Sequence, residues 1–514
     1  MNDALIAAAA AAFPTELPGI TLGAVVHEGA IDPQPLIRLP LAMMTRHGLI
    51  AGATGTGKTK TLQLMAEQLS AQGVPVFLAD VKGDVGGIAV AGERNARIDE
   101  RATATGFAWQ PAAFPVELLS LTGKTGGQLR ATVSDFGPLL LSKVLGLNET
   151  QSSVLSLVFK YCDDKGLLLL DLPDLREVLQ YLSDEGAAEL KEYGGMSKAT
   201  VGVLLRNIIG LEAQGADQFF GEPAFDLNDL LSVERDGRGL VSVLALSDVQ
   251  DKPALFSTFM LWMLAELYAM LPEVGDLAKP KLVFFLDEAH LLFDDASKSM
   301  RDEIEKVTRL IRSKGVGVFF ITQHPRDIPE TVLGQLGNRV QHALRAFTPD
   351  DEKQLRTTAR TIPKTDFYDI EELLTTLGTG EALVSTLTAK GTPTLPFACH
   401  MVPPASRMGP LTDAEVAPRL TTPQARKYAT AIDRESAREV LEKRHEAASA
   451  VEAAEAASAA GGKAATGGAA RSAREDEGAL GSFLKSPVAR TIAVTIAGTI
   501  TRSLLGAIMG KKRR

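Results

Sequence analysis

Residues 46–59 read Arg46-His47-Gly48-Leu49-Ile50-Ala51-Gly52-Ala53-Thr54-Gly55-Thr56-Gly57-Lys58-Thr59. The last eight match the pattern G-x-x-x-x-G-K-[ST], and the apolar run before them predicts a buried strand. Lys60-Thr61-Leu62-Gln63-Leu64-Met65-Ala66 follows with a helical pattern. Strand, small-residue loop and helix in that order make a phosphate cradle, because backbone N–H groups turn inward and the helix starts with its positive dipole end facing the anion. The stretch predicts a nucleoside triphosphate site built from Gly52, Ala53, Thr54, Gly55, Thr56, Gly57, Lys58 and Thr59. Lys58 is expected to reach the β- and γ-phosphates and the Thr59 hydroxyl to hold Mg2+.

A phosphate loop alone binds a nucleotide; hydrolysis needs a second strand that carries carboxylates. Leu282-Val283-Phe284-Phe285-Leu286-Asp287-Glu288 supplies it, with Asp287 as the Mg2+ anchor and Glu288 as the general base for the attacking water. A further apolar run at 316–321 ends in Thr322-Gln323, where an open α/β sheet keeps its ligands, and Gln323 is the candidate γ-phosphate sensor. Phosphoryl transfer also needs a cation against the charge of the transition state, supplied in ring motors by the adjacent subunit. Arg339 is the leading candidate, with Arg309 and Arg312 as alternatives.

Outward from the loop, short apolar runs alternate with helix-like stretches, the pattern of a parallel α/β sheet. Strands are expected at 75–79, 240–246, 282–286, 316–321, 340–344 and 382–387. Residues 1–40 are a short extension rich in Pro and Gly; 41–110 and 235–403 form the sheet core; 111–234 is an inserted helical subdomain. A helical segment at 404–446, an Ala/Gly-rich linker at 447–480 and an apolar, basic tail helix at 481–514 complete the expected layout.

The chain has 514 residues, 45% of them hydrophobic, enough for two to four domains and at least one large core. A formal charge of −9 excludes a uniformly basic nucleic-acid coat but permits a local basic channel lining. Cys162 and Cys399 are far apart and lack metal-type spacing, so neither a disulfide framework nor a zinc site is expected. No cationic leader precedes the alanine run near the start, and no charge-free apolar stretch is long enough to span a bilayer. These features give the expectation of a cytoplasmic protein.

The segments 46–59, Asp80-Val81-Lys82-Gly83-Asp84, Leu286-Asp287-Glu288-Ala289-His290, 310–317 and Phe320-Ile321-Thr322-Gln323-His324-Pro325 occur in the order seen in HerA-like ATPases of the HerA/FtsK clade. The chain resembles that clade over about residues 40–400, and most of all its bacterial YjgR-type branch. The resemblance implies a RecA-like P-loop NTPase core that assembles with itself as a ring, often a hexamer, with ATP and Mg2+ between subunits and double-stranded DNA in the pore. HerA proper carries an N-terminal β-barrel that docks a nuclease; forty residues are too few for one, so a nuclease-coupled role is not expected. Asp287-Glu288-Ala289-His290 also spells a DEAH box, but those helicases place their two motifs about half as far apart and need a Ser-Ala-Thr motif that Thr-Gln replaces here.

Contacts to DNA would be electrostatic and directed at its backbone, with Lys82 as a candidate pore residue. No basic stretch interleaved with aromatics supports a single-strand stacking platform. The alternative to a DNA motor is an ATPase that drives nucleotide-dependent assembly or protein remodelling without translocation. In the tail, Ile492, Ile496, Ile500, Leu504 and Ile508 form a helical stripe, and Lys511-Lys512-Arg513-Arg514 makes a basic end suited to a partner or an anionic membrane surface. Deleting residues 471–514 is expected to change assembly or localisation while leaving basal ATP hydrolysis largely intact; total loss of hydrolysis would refute a separate role for the tail.

Overall fold

The computed structural model describes residues 2–294 and 296–463. The described strands are β1 (Gly19–His27), β2 (Ala30–Pro40), β3 (Gly48–Ala51), β4 (Val76–Asp80), β5 (Val116–Ser120), β6 (Gly127–Gln128), β7 (Val241–Ala245), β8 (Leu282–Leu286), β9 (Val316–Thr322), β10 (Asn338–His342), β11 (Glu381–Ser385) and β12 (Phe397–Met401). They form one sheet in the order β2-β1-β12-β11-β10-β3-β9-β8-β4-β7-β5-β6. From β10 to β6 every pairing is parallel, and from β10 through β11, β12 and β1 to β2 every pairing is antiparallel. This is the α/β, RecA-like P-loop arrangement with a helical insertion.

Strands β3, β4, β8 and β9 are buried at every residue. A strand with helices on both faces has no wet side, which is why these segments read as unbroken apolar runs rather than as an alternation. Their side chains still alternate between two cores. Phe284 joins the one that includes the helix Pro253–Met270, while Val283 and Phe285 join the one that includes Leu62, Met65 and Leu69 of the helix Lys58–Ala71.

The helical insertion comprises Val133–Val144, Glu149–Lys165, Leu172–Ser183 and Lys198–Ala213 as its longer members. Capping boxes start three of them, at Thr132/Asp135, Asn148/Gln151 and Asp171/Asp174. Two expected boundaries differ. Residues 116–120 and 127–128, expected inside the insertion, are sheet strands; Val116 is opposite Val241, a partner remote in sequence that no local pattern announces. Residues 1–40 are extended where β1 and β2 lengthen the sheet beyond β12, and they add a helix, Asp3–Ala12, that was not expected.

The helix Pro253–Met270 is, among the described residues, the one long and apolar enough by length and composition to cross a membrane. It contains Glu266 and so is not charge-free, and 61% of its apolar window is buried inside the protein, as suits a core helix. The chain divides into two units, residues 1–443 and 444–514. The described part of the second unit is helical to Lys463, so the expected linker begins as helix, in keeping with the high helix propensity of Ala and Glu. The tail stripe at 492–508 and the basic end lie outside the described residues.

The helix after the phosphate loop is fastened from behind. Glu67 is almost fully buried and accepts from Ala405 N at 2.6 Å, Ser406 N at 3.0 Å and Ser406 Oγ at 2.7 Å. Burial pushes its pKa up from 4.5 to about 7, against the three donors, which pull it down. Between those values the unfolded chain has lost this proton and the folded chain keeps it, so the stability this group contributes falls as pH rises through the window, by on the order of 3 kcal/mol. The deficit in thermal midpoint of Glu67→Gln relative to wild type is therefore expected to be largest near pH 5 and to shrink toward pH 8; a deficit that grows with pH would contradict this.

Candidate nucleotide site

The register of the parallel strands brings the carboxyl ends of β3, β9, β8 and β4 to one edge: Ala51 is opposite Thr322, and Leu286 is opposite both Phe320 and Ala79. Residues that follow these ends, Gly52, Gln323, Asp287 and Lys82, thus emerge side by side in that order although they are spread over 271 positions of sequence. This is the edge at which open α/β sheets bind ligands.

The loop itself is folded by its glycines. Gly55 has φ +78° and Gly57 φ +118°, backbone that L side chains rarely adopt, and a Cβ on Gly57 would lie 3.2 Å from Gly380 N. Gly57 caps the helix Lys58–Ala71, so the first N–H groups of that helix open toward the loop. Outside contacts fix the loop's position: Ala53 N donates to Ala343 O at 2.8 Å, and Gly380 N donates to Thr56 O at 2.9 Å. His342, fully buried, bridges Thr61 Oγ1 at 2.9 Å and Glu381 O at 2.8 Å through its two ring nitrogens. Burial lowers its pKa to about 4, so it serves as a neutral strut. Arg101 donates to Gly380 O and Met401 O, each at 3.0 Å, and to Thr379 O at 3.1 Å, which holds the turn that touches the loop.

Lys58 is buried, with its Nζ 2.6 Å from Gly52 O and 3.1 Å from Ala53 O. Burial lowers its pKa; the charges of Glu288 and Asp287 act the other way, and Lys82 adds to the lowering. The lysine of the loop and the acids of β8 therefore sit within electrostatic reach of each other. Asp287 and Glu288 are both buried, and Asp287 Oδ2 and Glu288 Oε2 have no hydrogen-bond partner. Burial first, and the charge of Glu288 second, push Asp287 up to about 7, with Lys82 pulling it down. An orphaned buried carboxylate oxygen is costly unless a cation or donor meets it, which fits a divalent ion. Among the described residues no group of three or more His, Cys, Asp or Glu side chains could hold a metal by itself. Mg2+ binds through one or two protein oxygens, with phosphates and water completing its shell.

The remaining expected residues separate. Gln323 is exposed at the end of β9, on the same edge. Arg339 does not join it: in β10 it is opposite Leu49, back from the loop, and its guanidinium donates to Leu336 O at 3.4 Å and Leu333 O at 3.2 Å. Arg309 and Arg312 are exposed at the end of the helix that leads into β9, hence toward the opposite edge of the sheet. Lys82, expected as a pore residue, instead lies 2.6 Å from Glu288 Oε1. Sequence reasoning passed over His342 and Arg101, whose roles depend on partners that only the fold supplies. A cavity of about 660 Å³ opens beside the loop, lined by Gly57, Lys60, Arg97, Arg101, Thr379 and Met401 among others.

The family described as Helicase HerA-like C-terminal matches residues 27–514. The chain belongs to this family. Within the HerA-like group, the DNA double-strand break repair helicase HerA of Sulfurisphaera tokodaii is 24% identical over 360 residues, which cover 68% of this chain and 64% of that protein. A probable helicase of Methanocaldococcus jannaschii is 29% identical over 154 residues, 28% of each chain. The chain thus spans between about a quarter and two thirds of the length of these curated relatives. Among solved structures, the plasmid coupling protein TrwB in complex with ADP and Mg2+ is 14% identical, with 76% of this chain and 97% of that one covered and a TM-score of 0.47.

Proposed function

We propose that this HerA-like protein is an ATPase of the HerA/FtsK type that assembles with itself as a ring and couples hydrolysis to translocation on, or remodelling of, double-stranded DNA. The observation that carries the reading is the meeting of Lys58 and its glycine loop with Asp287 and Glu288 at one sheet edge. In this role the loop N–H groups and Lys58 bind the phosphates, and the neighbouring cavity takes the nucleoside. Thr59 and Asp287 would hold Mg2+, which when bound offsets phosphate charge and orients the γ-phosphoryl group. Glu288 orients the attacking water and takes its proton, and Gln323 contacts the γ-phosphate. Arg339 is tied to carbonyls of its own chain, so exposed Arg309 and Arg312 become the better candidates for a cation supplied to a neighbouring copy. An acidic chain needs only a local basic lining for DNA, and the names of its relatives support DNA as the track.

Lys58→Ala is expected to abolish tight ATP binding, and Glu288→Gln to retain bound ATP while cutting turnover by roughly a hundredfold or more. Steady-state hydrolysis with and without duplex DNA tests the coupling. Strong stimulation is expected; hydrolysis indifferent to DNA would favour a nucleotide-dependent scaffold or a protein-remodelling role.

A further inference from the structure

Lys82 occupies a position that the ATPase reading leaves unused. It follows β4, on a loop whose backbone is fixed: the Asp80 carboxylate accepts from Gly83 N at 2.7 Å, Asp84 N at 3.3 Å and Val85 N at 3.0 Å, and the Gln250 amide donates to Val81 O. Gly83, at φ +74°, lets the chain turn there. The Lys82 side chain, 44% exposed, leaves this rigid base and reaches Glu288 Oε1. Glu288 is the opposite case, with its side chain 9% exposed and its backbone in the left-handed region at φ +46°. The other carboxylate oxygen, Oε2, is buried without a hydrogen-bond partner and lies 3.5 Å from His290 Nδ1.

Two facts give the contact meaning. A carboxylate gripped by a charge-assisted hydrogen bond to an ammonium has that oxygen committed and turned away from water. Lys82 follows β4 at the same sheet edge as the phosphate loop and within electrostatic reach of Lys58, while its ammonium contacts the base. Burial alone would lower the pKa of Lys82, but Glu288, Asp287 and Asp84 outweigh it and keep the side chain charged. A flexible four-carbon stem on a fixed loop can turn between two anions without moving the backbone.

We propose that Lys82 exchanges partners, its ammonium passing from the Glu288 carboxylate to the γ-phosphate of a bound nucleoside triphosphate, so that Glu288 is released to water only when a γ-phosphate is present. The idea rests on the ATPase reading above and deepens it. A γ-phosphate carries more charge than one carboxylate and draws the lysine over; a diphosphate has no γ-oxygens and leaves the ion pair intact. Lys82 thereby reports the identity of the nucleotide directly to the base.

The test is nucleotide binding by the full chain, measured by calorimetry with a non-hydrolysable ATP analogue and with ADP, each with Mg2+. Lys82→Met is expected to lose roughly ten- to a hundredfold in affinity for the triphosphate analogue, while ADP affinity stays within about twofold. Glu288→Gln removes the competing anion, so it should tighten triphosphate binding when Lys82 is present and fail to do so in the Lys82→Met background. Lys82→Arg should restore part of the preference for triphosphate. Unchanged ADP affinity shows that each variant keeps a folded site. If Lys82→Met leaves both affinities unchanged, or weakens both equally, the exchange is refuted while the ATPase reading stands. If the wild type binds neither nucleotide, the ATPase reading and the exchange fail together.

Discussion

The arrangement depends on opposite charges being held close together in a place with little water. Lys58 on one side, and Asp287 with Glu288 on the other, are all buried, and none of them is comfortable there alone. What makes the placement possible is the parallel register of β3, β9, β8 and β4, which aligns four carboxyl ends so that loops from distant parts of the chain open on one edge. At this edge lie the positive-φ backbone of Gly55, Gly57 and Glu288 and the orphaned oxygens of both acids. A polyanion with a divalent ion is the kind of ligand that would satisfy all of them at once.

The antiparallel half of the sheet acts as a buttress for that edge. His342 at the end of β10 and Gly380 just before β11 both touch the phosphate loop or the helix after it, and Arg101 ties the Gly380 turn to Met401 at the end of β12. Glu67 secures the same helix to residues 405–406 from the far side. The loop is thus held in shape by elements drawn from residues 53 to 406, which suits a site that must bind its ligand without rebuilding itself.

Much of this was legible in the sequence because its signals are local. The spacing of Gly52 to Thr59 and the acids closing an apolar run at 286–288 need no knowledge of the fold, and the buried strands announce themselves by composition. Pairings across long separations were not legible: Lys82 with Glu288, Thr61 with His342, and Val116 with Val241 each join residues more than a hundred positions apart. Arg339 shows a limit of another kind. It lies toward the amino end of β10, opposite Leu49, and only the fold shows that its guanidinium is tied to carbonyls of its own chain.

In the proposed role, the glycine loop and the acids of β8 together grip one metal-bound triphosphate. Electron paramagnetic resonance with Mn2+ in place of Mg2+ and ATP present tests it most directly, through the coupling of the metal to phosphorus nuclei. One such ion per chain is predicted, coupled to phosphorus in the wild type and lost or greatly weakened in Asp287→Asn. An Asp287→Asn protein that binds Mn2+ and ATP with the same coupling and affinity as wild type would contradict the account.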